Sequence, residues 1–258
     1  LSGAELVGMA RAHLDTGKTR KPRTCNIRAY NPGAKNASWA SDHSVIEIVT
    51  DDMPFLVDSV SAELTRRELP IHLVIHPICK VRRNKAGAVQ DILERGHVDI
   101  DARPESFMHF QIAQQPDRTL SEIAASLKSV LNDVRVSVED WRPMRERMET
   151  IIEDLAVEPR GVQMEESAEI RELLRWLHDN HFTFLGYREY ELDTRNGEDV
   201  LATVPNSGLG ILRRSRSGRP TRPARRACPV SVKLDRVVVH RDAPVAVPRH
   251  AEQVSVLI

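Results

Sequence analysis

Cysteine and aromatic residues are both scarce in this chain, and neither sign of charge prevails. The three cysteines, Cys25, Cys79 and Cys228, are odd in number and far apart. They make no disulfide framework and read as thiols of a reducing compartment. Three Trp, three Tyr and five Phe are too few for a base-stacking platform. Basic and acidic residues number 37 each, so no whole-molecule field draws the chain to nucleic acid or to an anionic membrane. Long hydrophobic runs are missing as well. The best of them, Ile71–Ile78, contains two histidines and a proline and falls far short of the ~20 residues of a membrane helix. The first twenty residues lack the apolar core of a secretory signal. With Leu1 rather than Met at its start, the chain is read as cytoplasmic and as a piece of a larger protein. What is present, 41% hydrophobic and 29% charged residues over 258 positions, suits a globular chain with room for two domains.

Local pattern then supplies an order of elements. Residues 1–20 have the apolar spacing of a short helix, followed by a basic connector. Thr24–Tyr30 alternates as a strand, and Val45–Thr50 is β-branched enough for another. After the acids at 51–52 and Pro54, apolar residues at helical spacing run to about Leu69, where Pro70 stops the helix. Ile71–Val81 reads as one strand whose odd positions are apolar, with an edge or bulge at Pro77, which has no N–H to donate. Asn84–Gly87 is a hairpin turn into Val89–Leu93, and Phe107–Ala113 is a further strand. Leu120, Ile123, Leu127, Val130, Val134, Val138 and Trp141 repeat at threes and fours as a helix. Val134–Val138 also alternates as a strand would. The stripe restarts after Pro143 and continues to Leu155.

This succession, strand–helix–strand–hairpin–strand–helix, is an α+β sandwich of the ferredoxin-like type with an extra N-terminal strand. A second, incomplete unit begins after Gly161. It comprises a helix over Ile170–Leu177, strands at Phe182–Leu192 and Val200–Val204 around an Asn196-Gly197 turn, and a strand at Val230–His240. Expected boundaries are a helical arm (1–23), a first domain (24–140), a linker helix (141–164), a partial second unit (165–212), an Arg/Pro-rich linker (213–229) and a strand with a tail (230–258).

Motifs for chemistry are few. Ala12–Thr19 approximates a phosphate loop but lacks the first glycine and follows a helix instead of a strand, so it is a basic connector. Gly208-Leu-Gly210 begins a dinucleotide fingerprint whose third glycine would fall on Arg213, so it is a turn and no cofactor is expected. There is no Cys-x-x-Cys, no His-Glu-x-x-His and no Gly-x-Ser-x-Gly. His72 and His76 would stand ~13 Å apart on a strand, too far for one ion, and no metal or catalytic residue is assigned. Arg213–Arg226 packs seven arginines without an acid; a solvated loop is the preferred reading and nucleic acid the lesser one.

The segment with most promise is Asp51, Asp52, Met53, Pro54, Phe55 and Leu56, where a strand gives way to a helix. N–H groups at a helix start hold a carboxylate, and either aspartate can pair with an ammonium group. A free amino acid carries both. The competing reading is that Asp52 merely caps the helix and Pro54 starts it.

Val45-Ile-Glu-Ile-Val-Thr-Asp-Asp-Met-Pro-Phe-Leu-Val-Asp-Ser-Val60 resembles the amino-terminal region of the large bacterial NAD-dependent glutamate dehydrogenases. So do Ile75-His-Pro-Ile78 with Val81-Arg-Arg83, Val138-Glu-Asp-Trp-Arg-Pro-Met144, Phe182-Thr-Phe-Leu-Gly-Tyr187, Gly208-Leu-Gly-Ile-Leu-Arg213 and Val239-His-Arg241. The resemblance implies ACT-type modules, which bind amino acids and associate through their sheets. They lie ahead of a separate catalytic domain that oxidises L-glutamate to 2-oxoglutarate and ammonia with NAD. It implies a non-catalytic regulatory and assembly segment whose partners are its own catalytic domain and identical subunits. A purely structural oligomerisation module is the alternative. Beyond Arg213 the chain departs from the family pattern, and a truncated or divergent second unit is expected.

Overall fold

The computed structural model describes residues 3–33, 39–94, 99–156, 164–195, 198–213, 237–239 and 253–257. They fall into two compact units, divided between Val134 and Arg135.

In the first unit, α1 (Gly3–Gly17) is followed by β1 (Asn26–Tyr30), β2 (Ser44–Asp51), α2 (Leu56–Arg66), β3 (Ile71–Ile75), β4 (Ile78–Arg83), β5 (Val89–Leu93), β6 (Arg103–Ile112) and α3 (Asp117–Glu139), whose residues from Arg135 on fall in the second unit. The six strands make one antiparallel sheet in the order β1-β2-β6-β4-β5, with β3 also on β6. Sequence pattern predicts a single strand over 71–81. The chain forms two instead, laid end to end on β6 and broken at His76–Pro77, the point where the proline removes a ladder donor. The Phe107 N–H donates to the Pro77 carbonyl and carries β6 across the break. Val134–Val138 is helical within α3 and not a strand; the three- and four-residue repeat prevails over the alternation.

Alternation divides the sheet between two environments. Ile46 and Ile48 of β2 and Met108, Phe110 and Ile112 of β6 face Leu56, Val60 and Leu64 of α2 and Leu120, Ile123, Leu127 and Leu131 of α3. Burying each such side chain contributes about 1.5–3 kcal/mol, so this face is the principal core of the unit. On the opposite face lies α1, with Met9 and His13 buried. There Gly17 approaches so closely that a Cβ would meet the Phe107 ring at 2.8 Å.

The exit of α2 is a tight C-terminal lock. The Leu69 N–H donates to the Leu64 carbonyl and the Glu68 N–H to that of Thr65, a Schellman pair. Glu68 takes the left-handed conformation there, φ 58°, so the helix ends at Arg66 and not at Leu69.

The second unit contains α4 (Trp141–Asp154), α5 (Met164–Trp176), a π-helical turn at Leu177–His181, β7 (Gly186–Arg195), β8 (Glu198–Thr203), β9 (Leu209–Gly210), β10 (Val237–Val239) and β11 (Gln253–Leu257). Pro143 sits in the first turn of α4, where a missing N–H costs no helical bond. α4 supplies Met144, Met148 and Ile151, which pack with Leu155, Leu174, Leu177, Phe184 and Tyr187. The strand expected from Phe182 begins only at Gly186, because Asn180 turns left-handed (φ 62°) and Phe184 enters the core. The sheet order is β10-β11-β7-β8 with β9 on β7. The Asn196-Gly197 turn, residues 230–236 and 240 of the strand predicted at Val230–His240, and residues 214–226 lie outside the described residues.

Candidate functional site

The turn singled out by sequence connects β2 to α2. Asp51 is engaged within the chain: Oδ1 accepts from Arg20 Nη2 at 2.6 Å and Oδ2 from the Arg23 N–H at 3.0 Å. Asp52 does not cap α2. Its Oδ1 accepts from the Ser106 hydroxyl at 2.6 Å, and its N–H donates to the Pro104 carbonyl. Met53 packs against the principal core and Leu56 lies within it. Pro54 is exposed, and so is Phe55. Phe55 occupies the N-cap position with φ 70° and no side-chain cap bond. A bulky residue in the left-handed region costs on the order of 1–2 kcal/mol. Proteins tolerate such strain most often at ligand sites and switches. The turn therefore presents an uncapped helix start, a strained exposed ring and, in Asp52, a carboxylate whose Oδ2 has no hydrogen-bond partner among the described residues.

The Ser106 hydroxyl also lies 2.9 Å from His76 Nε2. Its proton is committed to Asp52, so the imidazole donates to it. The serine stands between acid and base, in a fully buried position, and this is a positioning chain and not a nucleophile with its base.

A polar layer that sequence reading missed lies beneath α1. Glu47, in the middle of β2, is fully buried and accepts from Thr16 Oγ1 at 2.5 Å and from the Tyr30 hydroxyl at 2.8 Å. Burial pushes its carboxyl up, and those two hydrogen bonds only partly oppose the rise. His109 is buried beside His13, and its Nδ1 has no hydrogen-bond partner among the described residues. Burial, with repulsion from His13, drives its pKa down to about 4. Burial likewise lowers the pKa of His13. The signal was a lone acid inside the apolar run Val45–Val49.

Next to this layer Arg20 and Arg83 converge on Glu105. Arg20 Nη2 and Arg83 Nε each reach Oε1 at 2.7 Å, and Arg83 Nη2 reaches Oε2 at 2.7 Å. Burial alone would raise the Glu105 pKa; hydrogen bonds from Arg83 and Arg20 outweigh it and hold the carboxyl below its ordinary range. The hairpin turn joins the same cluster, since Arg83 Nη1 donates to the Gly87 carbonyl.

Other sequence candidates are accounted for locally. Gly17 of the phosphate-loop-like stretch is packed on Phe107, and Thr19 bridges Ala88, so no open loop remains for phosphates. The Gly210 N–H donates to Asp140 Oδ2 at 2.7 Å. An acid thus stands where a pyrophosphate would require donors, and the segment does not fit a dinucleotide. The His72 ring lies tilted against that of His43, whereas His76 faces Ser106. Among the described residues no three His, Cys, Asp or Glu converge on a position for a metal ion. Burial and the nearby Glu105 raise the pKa of Cys79, the reverse of thiol activation. No helix among the described residues is long and apolar enough to cross a membrane.

The first unit is thus of the mixed α and β class, built on one antiparallel sheet. Residues 1–127 match the glutamate dehydrogenase ACT1 domain, and this part of the chain is assigned to that domain family. Its relatives are NAD-specific glutamate dehydrogenases, whose N-terminal region it resembles. It is 37% identical over 194 residues to that of Halomonas elongata and 36% identical over 193 residues to that of Pseudomonas aeruginosa, in each case 74% of this chain and 12% of the relative. With the Mycobacterium tuberculosis protein it shares 25% identity over 214 residues, 82% of this chain and 13% of that one. The chain thus spans about an eighth of the length of these relatives.

Proposed function

We propose that this chain is the non-catalytic regulatory and assembly segment of an NAD-dependent glutamate dehydrogenase, and that a free amino acid is its signal. The parent reaction on this reading converts L-glutamate and NAD to 2-oxoglutarate, ammonia and NADH in a catalytic domain elsewhere in the protein. The observation that carries the reading is the turn Asp51–Leu56. The uncapped N–H groups at the start of α2 suit the ligand's carboxylate, Asp52 Oδ2 suits its ammonium group, and the exposed Phe55 ring suits its side chain. Asp51, held by Arg20, serves the turn rather than the ligand.

The wider fold is read the same way. The first unit is ferredoxin-like with β1 in the place of a fourth strand, a reading supported by the order β1-β2-β6-β3/β4. The second unit is an incomplete ACT-like module. A ligand that favours one arrangement of domains would bias the active site by a coupling of ~1–3 kcal/mol. Calorimetric titration of the chain with each common amino acid tests this. One of them binds in a ratio of one per chain, and Asp52→Asn abolishes the heat whereas Asp51→Asn retains it. Silence with every amino acid removes the sensor.

A purely structural role has its own support. Among the described residues β1 is paired on one side only, by β2, and an open edge invites another chain. A stable oligomer in light scattering, together with silent titrations, would favour that reading.

A further inference from the structure

A buried charge in the second unit meets no counter-ion among the described residues. Arg188 on β7 is 4% exposed. Among the described residues its single hydrogen bond runs from Nη2 to the Leu212 carbonyl, and no carboxylate meets it. A guanidinium does not shed its proton in a protein, so it escapes the cost of burial only by pairing. The remaining donors of the fork have no partner among the described residues.

Arg188 lines a cavity of about 200 Å³ with Thr203, Val204, Asn206, Gly208 and Arg213. Arg213 adds a second cation whose own charge is met by Glu139 and Asp140, at 3.1 and 3.5 Å. At Gly208 a Cβ would come within 3.2 Å of Arg188 Nε and 2.4 Å of the Leu212 oxygen, so a side chain there would crowd the guanidinium. Thr203 and Asn206, both with polar side chains, are among the residues that line the cavity. The volume lies below the ~300 Å³ at which drug-sized ligand pockets begin.

We infer that this cavity is a binding site for a small oxyanion, a carboxylate or a phosphate, seated on the Arg188 guanidinium. Both chemistries present the paired oxygens that an arginine fork engages. The site lies wholly in the second unit and is independent of the amino-acid reading of the first.

The test is calorimetric titration of the 258-residue chain with acetate, glutarate and inorganic phosphate at fixed ionic strength, which separates occupancy from screening. At least one anion binds in a one-to-one ratio. Arg188→Gln weakens it on the order of tenfold or more, the loss of a charged hydrogen bond. Asn206→Asp provides an internal counter-ion, so it raises the melting temperature without anion and abolishes binding with it. That variant retains the test should Arg188→Gln fail to fold. Response to phosphate alone assigns a phosphate site, and response to acetate or glutarate a carboxylate site. No response to any of the three up to about 10 mM, or equal affinity in wild type and both variants, overturns the inference.

Discussion

Replacement of Glu105 by glutamine should separate the structural ion cluster from the turn beside it. Glu105 and Arg20 expose only 2% of their side chains each, and Arg83 exposes 11%. Removing one member of a buried ion pair costs about 3–5 kcal/mol, because the remaining charge stays buried. Glutamine keeps an acceptor and Arg20 keeps Asp51, so the lower end applies, about 3 kcal/mol. Asp51 is a different case. Its side chain is 31% exposed and Arg20 retains Glu105 when it is lost, so Asp51→Asn should cost about 1 kcal/mol. For a unit of this size each kcal/mol moves the midpoint by about 4 °C, which sets falls of roughly 12 °C and 4 °C for the two variants in thermal melts followed by circular dichroism at pH 7. The Glu105 pKa is lowered in the folded state. Its contribution is therefore complete above the unfolded carboxyl pKa and lost as pH falls through the folded one. The gap between wild type and Glu105→Gln should accordingly narrow in acid. Equal falls for the two variants, or a gap that widens in acid, would refute the assignment of Glu105 as the centre of the cluster.

Glu68→Gly should stabilise the first unit by roughly 0.5–1 kcal/mol, because the residue is exposed and held at φ 58°, where glycine has no steric penalty; chemical denaturation reads it as a higher midpoint at unchanged slope. His109 titrates near 4 in the fold against about 6.5 when unfolded. Stability should fall as pH drops from 6.5 to 4, by roughly 3 kcal/mol in all, and His109→Gln should flatten that part of the profile.

Much of the fold was legible because apolar alternation and helical spacing report burial directly. Val45–Thr50, the helix from Leu56 and the stripe of α3 all fall where their periodicity predicts. The break at Pro77 was legible as chemistry, but its form, two strands on one partner, depends on β6 and could not be read locally. The turn at Asp51–Leu56 was legible as a strand-to-helix junction. The division of labour between its aspartates was not, since Arg20 and Ser106 reach them from 31 and 54 residues away. Long-range pairing also hid the layer of Glu47, His13 and His109. Arg188 carried no signal at all: in sequence it is one cation on an ordinary strand, and only its burial makes it unusual.

Backbone amide shifts of the isotope-labelled chain during amino-acid titration bear most directly on regulation by a bound amino acid. The expected result is a saturable shift in the amides of Phe55, Leu56, Val57 and Asp58 with one ligand, absent in Asp52→Asn. Binding that leaves those four amides unmoved and shifts residues elsewhere would contradict it.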